Sequence, residues 1–453
     1  MLSLNNTFVN ALLADATYAL GDDQFEGLTG DDLAAELNQN DRMTLPLAEY
    51  IGANFTVVTH IETDDILGSG FDATVWRDRN GWLYVSLQGT KGLGDFTTDI
   101  GDLFANGVAK EQIVDMVNWW LKNSTASDSN WAPQFQLNGN EEVIAAASVQ
   151  GTGLLTDAEG FSVNGHSLGG HLATAFSRLF GGQSGYIYHT YTYNSGGFNS
   201  YSNSFFEEFE QLLNGTSAIS MGTFPGIAQQ SNFFAEHGIN VTTNDLFNDQ
   251  HGQRIALFNE EGTGLPNHSM YKLTDALALG NLLAGIDSSF DIAAMNSLFD
   301  AGSNEANASL ENIQDTLGFM FIGSQYNSTP IGDEGDSPPS RVKYHENLML
   351  LRNVLFTNPN DLELTLKPEF QNLHISDVSN LGGSALLDNA NGLAYRYALV
   401  NLNTFAITGD ASLYTQHNQN GELNAENFSD TYLKDRALML EHILLRNTDD
   451  VDF

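Results

Sequence analysis

Gly160-Phe161-Ser162-Val163-Asn164-Gly165-His166-Ser167-Leu168-Gly169-Gly170 passes from a short β-forming run through a sharp turn into a helical pattern. The line that follows, His171 to Phe180, carries helix formers with apolar residues at 172, 175, 176 and 179, the spacing of one helical face. Side chains at Gly165 and Gly169 would collide where a strand turns straight into a helix. A serine in this G-x-S-x-G setting is held at the top of a sheet, its hydroxyl exposed and a helix amino end beneath it. Ser167 is therefore the candidate nucleophile.

Working outward, 54–60 and 71–77 read as strands, and Asp78-Arg79-Asn80-Gly81 as the turn of a hairpin into Trp82–Leu87. Helical periodicity marks 8–20 and 109–122; 123–140 reads as a loop and 141–149 as a second helix. Tyr188–Asn194, aromatic and β-branched, reads as a central strand. Residues 199–235 form an insertion rich in Phe, Ser and Gly, and 239–243 resume the sheet before a helix near Ser269. Alternating strands and helices predict an α/β fold with a mostly parallel sheet, and the serine turn makes it an α/β-hydrolase. Pro330, Pro338 and Pro339 stand among small and acidic residues in 329–340, which reads as a linker. The expected organisation is a catalytic domain over 1–328 and a helical domain over 341–453, with periodic segments at 341–356, 384–402 and 430–445.

Composition narrows the function. The chain has 453 residues, 57 acidic and 17 basic, for a net charge of −40 at pH 7. Such a surface repels nucleic-acid phosphates, so a nucleic-acid partner is excluded. With no cysteine, thiol catalysis and disulfides are excluded too. No apolar run reaches the ~20 residues that span a bilayer. The first twenty residues lack a basic start and contain Asp15, unlike a cleavable signal peptide. An acidic, cysteine-free chain of this kind suits export without a cleaved leader, with a cytoplasmic location as the alternative.

A serine hydroxyl needs a base, and the base an orienting acid. On this sheet the chain order is serine, acid, histidine. His268 stands in a loop immediately before a helix, from which its ring can reach the top of the sheet, and is the candidate base. Asp245, two residues beyond the strand expected at 239–243, is the candidate acid, with Asp249 in reserve. His345 and His442 fall inside expected helices, and His374 and His417 share that C-terminal part. The oxyanion needs two donors. The backbone N–H of Leu168 is one, and Thr90, in Gln88-Gly89-Thr90 after the 83–87 strand, supplies the other. None of this chemistry requires a cofactor. His417–Glu422 resembles part of a calcium loop but lacks its opening aspartate, and reads as a turn. A structural calcium among the many other carboxylates stays open.

These segments resemble the class 3, or fungal-type, lipases over about residues 8–280. Leu87-Gln88-Gly89-Thr90 is similar to that family's oxyanion segment, with Gln in place of the usual arginine. Asp95–Asp99, Leu13–Tyr18 and Val241–Asp245 resemble its next segment, its amino-terminal helix and its acid-bearing strand. The acidic character and the C-terminal helices look more like bacterial exported relatives. The resemblance implies hydrolysis of carboxylic esters, triacylglycerols first, at a lipid–water interface, with phospholipase A1 as the nearest alternative. A lid would come from the helix expected around Phe96, Ile100, Leu103 and Phe104, or from the 199–235 insertion. Two further possibilities are a non-catalytic lipid- or cell-surface-binding module, and a C-terminal part that serves adhesion or assembly.

Overall fold

The computed structural model describes residues 2–448 except 22–24, 40–41, 64–68, 90–107, 129–130, 183–185, 200–201, 214–222, 239–241, 243–247, 261–264, 304–306, 333–336 and 379–383. The described chain forms two compact units. One comprises Val9–Ala256 with His268–Tyr271; the other comprises Met1–Phe8, Leu257–Asn267 and Lys272–Phe453.

The first unit is built on a seven-stranded sheet. Its strands are β1 (Phe55–Glu62), β2 (Asp72–Asp78), β3 (Leu83–Leu87), β6 (Phe161–His166), β7 (Ile187–Tyr193), β9 (Gln230–Ala235) and β11 (Gln253–Leu257), in that spatial order. β1, β2 and β3 pair antiparallel, whereas β3, β6, β7 and β9 run parallel through the centre. β3, β6 and β9, and β7 from Thr190 onward, are buried nearly throughout, as strands covered on both faces must be. The helices of this unit are α1 (Leu4–Ala16, from Val9 onward), α2 (Gly30–Asn38), α3 (Leu45–Asn54), α4 (Lys110–Ser124), α5 (Leu168–Phe180) and α6 (Ser202–Leu213). Every residue of α5 is buried. Trp120 of α4 packs on Phe161 of β6 at 4.9 Å and on Phe176 of α5 at 4.8 Å between ring centroids, fixing strand and helix to each other. On α1, Asn10 accepts a buried hydrogen bond from Asn164 of β6, 3.0 Å long.

Three expectations for this unit change. The helix expected at 141–149 is a strand, β5 (Val143–Gln150), and the loop expected at 123–140 contains its antiparallel partner, β4 (Trp131–Leu137). The run Ala145-Ala146-Ala147 favours a helix, but the turn chemistry wins. Asn138 Oδ1 accepts from the N–H groups of Asn140 and Glu142 at 2.8 and 3.1 Å, and Glu141 takes a φ of 60°, which closes a hairpin. The 199–235 insertion contains α6 and ends in β9, which pairs with β7, so the sheet resumes earlier than expected. The strand expected at 239–243 and the lid helix expected around 96–104 lie outside the described residues, save Thr242. Two short strands, β8 (Phe198–Asn199) and β10 (Asn248–Asp249), pair with each other.

The second unit holds α7 (Met270–Ile286, from Lys272 onward), α8 (Ile292–Asp300), α9 (Ser309–Phe321), α10 (Pro339–Leu355), α11 (Ala390–Asn401) and α12 (Asp430–Thr448). A two-stranded sheet joins β12 (His374–Asp377) to β13 (Phe405–Thr408). The boundary expected at 329–340 therefore falls inside a unit. Asp275 of α7 receives Arg341 of α10 in a buried two-point ion pair, at 2.7 and 3.0 Å. Thr329, at the head of the expected linker, is buried; it donates to Gln314 at 2.7 Å and accepts from Asn347 at 2.8 Å. Pro338 and Pro339 open α10, where a missing N–H costs nothing. No helix among the described residues is long and apolar enough to cross a membrane.

Candidate active site

Ser167 lies between the end of β6 and the first residue of α5 with φ 57° and ψ −123°. That conformation costs a non-glycine residue about 1–3 kcal/mol and persists only when its surroundings enforce it. Here they do. The Ser167 N–H donates to the Tyr193 carbonyl at 2.9 Å, and the Ser167 carbonyl accepts from Gly170 and His171 at 3.1 and 3.3 Å. The two glycines of the motif are required by space. A Cβ on Gly165 would lie 2.2 Å from the Gly169 carbonyl oxygen, and one on Gly169 would lie 2.0 Å from that of Leu87. Leu168 begins α5, and its amide belongs to the first helical turn, whose N–H groups have no intrahelical acceptor.

The segment after β3 runs beside the serine. A Cβ built on Gly89 would lie 3.2 Å from Ser167 Cβ and 2.6 Å from the His166 carbonyl oxygen. Gln88, standing where the resembling family has arginine, anchors this segment without a charge. Its side-chain amide donates to the buried Asp72 carboxylate at 2.9 Å, and its backbone N–H to the Asp72 carbonyl at 3.0 Å. Thr90 lies outside the described residues.

His268 ends a short 3-10 turn (Leu265–His268) that leads into α7. It is buried, and its ring centroid lies 4.8 Å from that of His166, the residue preceding the serine. The His268 carbonyl accepts from His166 Nε2 at 2.7 Å and from Asn194 Nδ2 at 3.1 Å. Asn194, immediately after β7 with φ 43°, accepts the Ala235 N–H at 2.9 Å on its side-chain oxygen. The structure thus brings Ser167, Leu168 and His268 to one end of the parallel strands. Asp245, the expected acid, lies outside the described residues.

No family model matches the chain, and no curated protein matches it. Among solved structures, that of M37 lipase aligns over 95% of this chain and 97% of that one, at 11% identity and a TM-score of 0.23. At that distance, the site rests on its own geometry.

Burial dominates the electrostatics of the centre. Burial, then the neighbouring His268, holds His166 well below the ordinary imidazole range. Burial pushes the Tyr18 phenol well above its usual range, against the opposing pull of Arg42. His171, on α5 and stacked on Phe198 at 3.8 Å, is lowered by burial to about 3. Sequence reasoning missed Tyr18, His166 and Asn194. His166 stands inside the motif, and Tyr18 and Asn194 end segments already singled out, Leu13–Tyr18 and Tyr188–Asn194, but nothing in those segments pointed to their contacts with the serine turn.

Proposed function

We propose that this protein is a serine carboxylic-ester hydrolase of the α/β-hydrolase type. The observation that carries the proposal is Ser167 itself, held at positive φ between a parallel strand and a fully buried helix, with the backbone of His268 tied to the preceding residue. In this reading the Ser167 hydroxyl attacks the ester carbonyl and passes its proton to His268. The Leu168 amide and Thr90 stabilise the oxyanion, and Asp245 orients the base. An acyl-enzyme forms and is then hydrolysed, with no cofactor in the cycle. The favoured substrates are water-insoluble esters, triacylglycerols before phospholipids.

The test pairs a fluorophosphonate label with hydrolysis assays. Wild type should take up one label on Ser167, located by mass spectrometry, and cleave emulsified triglyceride, phospholipid or a soluble ester. Ser167→Ala should lose both labelling and turnover, by a factor of about 10⁴ or more. The ratio of rates on triglyceride and phospholipid separates lipase from phospholipase A1. A wild type that neither labels nor turns over any ester, with calcium supplied, would overturn the proposal in favour of a binding module.

A further inference from the structure

Four groups at the site form a continuous chain of hydrogen bonds whose protons can be assigned by elimination. The His268 carbonyl can only accept, so His166 Nε2, 2.7 Å away, must carry a hydrogen. The buried His166 ring is neutral and holds one ring proton, so its Nδ1 is a bare acceptor. The Tyr18 hydroxyl lies 2.9 Å from that Nδ1 and therefore donates to it. The same hydroxyl oxygen accepts the Gly89 N–H at 3.0 Å. Every hydrogen thus points one way, from Gly89 through Tyr18 and His166 to the His268 main chain.

We propose that Tyr18 and His166 are positioning residues that lock the oxyanion segment, the serine turn and the His268 main chain into one unit, Tyr18 bridging Gly89 to a His166 ring whose tautomer the His268 carbonyl sets. This rests on the roles proposed above for Ser167 and His268. The opposite tautomer would set a bare nitrogen lone pair against the His268 carbonyl at 2.7 Å, and the repulsion would push the histidine away from the serine. The His268 carbonyl thus sets the tautomer, and the Tyr18 hydroxyl completes the link by donating to the bare Nδ1.

The packing leaves the link little slack. A Cβ on Gly89 would lie 2.5 Å from the Tyr18 hydroxyl oxygen, so only glycine lets the segment approach it. The Arg42 guanidinium lies over the Tyr18 ring at 5.0 Å from its centroid, and the ring meets His166 edge-on at 5.7 Å. Asn194 supplies the second donor to the same His268 carbonyl, so that carbonyl is fixed from two directions.

Two readouts on the full chain test this. Histidine-labelled protein gives the His166 tautomer directly by long-range proton–nitrogen correlation, with the resonance assigned by its loss in His166→Gln. The wild type should show a neutral ring protonated at Nε2 that does not titrate between about pH 5 and 8. In Tyr18→Phe the ring should keep its Nε2 proton but lose the hydrogen bond to Nδ1, moving the Nδ1 resonance, and kcat should fall roughly 10- to 100-fold with KM little changed. Gln at 166 keeps an amide donor for the His268 carbonyl and needs no hydrogen from Tyr18. Tyr18→Phe should accordingly cost less than threefold on the His166→Gln background, whereas two independent packing losses would multiply. A wild-type ring protonated at Nδ1, or an unchanged Nδ1 resonance and kcat in Tyr18→Phe, overturns the proposal. The tautomer is read without any substrate. A protein inert on every ester would thus sink the hydrolase reading, while the spectra alone would decide the link.

Discussion

One methyl group tests whether the serine turn is as tight as its contacts say. At Gly165 and Gly169 the atom that a new Cβ would strike is backbone oxygen, at 2.2 and 2.0 Å, and backbone cannot swing aside as a long side chain can. Gly165→Ala and Gly169→Ala should each lower the unfolding free energy by about 2 kcal/mol or more, and should abolish labelling of Ser167. Gly139, in the β4–β5 turn, meets nothing within 4 Å, so Gly139→Ala is the matched control with little effect. Urea unfolding of the three variants settles the point; equal midpoints would mean that the turn yields. The serine was legible in sequence because the strand, turn and helix that carry it are consecutive, in residues 161–180, although Tyr193 and Leu87 complete its surroundings. Tyr18 was not. Its partner His166 is 148 residues away, and an ordinary helical pattern gives no sign that the hydroxyl of a residue just beyond the helix will meet a ring in the serine turn.

Between elements, the same contrast of local and distant forces decided what could be read. The strands β1, β2, β3, β6 and β7, and the helices α1, α4, α5, α7 and α10, follow their apolar periodicity, because each buries one face or is buried throughout. Residues 143–150 misled because three alanines favour a helix locally, while an Asn-Gly turn and a neighbouring strand stabilise a hairpin. The linker at 329–340 misled because loop composition says nothing of what lies across from it. What lies across is the Asp275–Arg341 pair, with the two side chains only 3% and 1% exposed. Burial pushes the Asp275 carboxyl up, but Arg341 and His345 outweigh it and bring it down to about 2. Arg341→Met should leave that buried carboxylate with only His345 to face it, at a cost of about 3–5 kcal/mol. Asp275→Asn added to Arg341→Met should recover part of the loss, since it removes the stranded charge. Chemical denaturation of single and double variants measures both; additive losses would show that the pair does not hold α7 to α10.

For the molecule as a whole, acid is the weak side. His171 is lowered by burial to about 3, and burial also depresses His166, His189, His251 and His345. In the unfolded chain these rings take up protons near pH 6.5, whereas in the fold they resist protonation until lower pH. The unfolded state therefore binds more protons below about pH 6.5, and acidification draws the protein toward it. The slope is about 1.4 kcal/mol per pH unit for each proton by which the unfolded chain leads. Asp275 acts in a lower window. Its contribution is present above the ordinary carboxylate value and disappears as the pH falls through about 2. The net charge of −40 opposes both effects, because neutralising carboxylates relieves self-repulsion. Working in about 0.5 M salt shortens that repulsion to a few ångströms, leaving the buried histidines opposed chiefly by Glu260 and Asp78, whose carboxyls burial pushes up. Under those conditions the urea midpoint should fall between about pH 7.5 and 5.5. His171→Gln, which cannot titrate, should flatten that decline whatever its own effect on stability at neutral pH. A wild-type midpoint that holds steady across this range would mean that the buried rings take protons as readily in the fold as outside it.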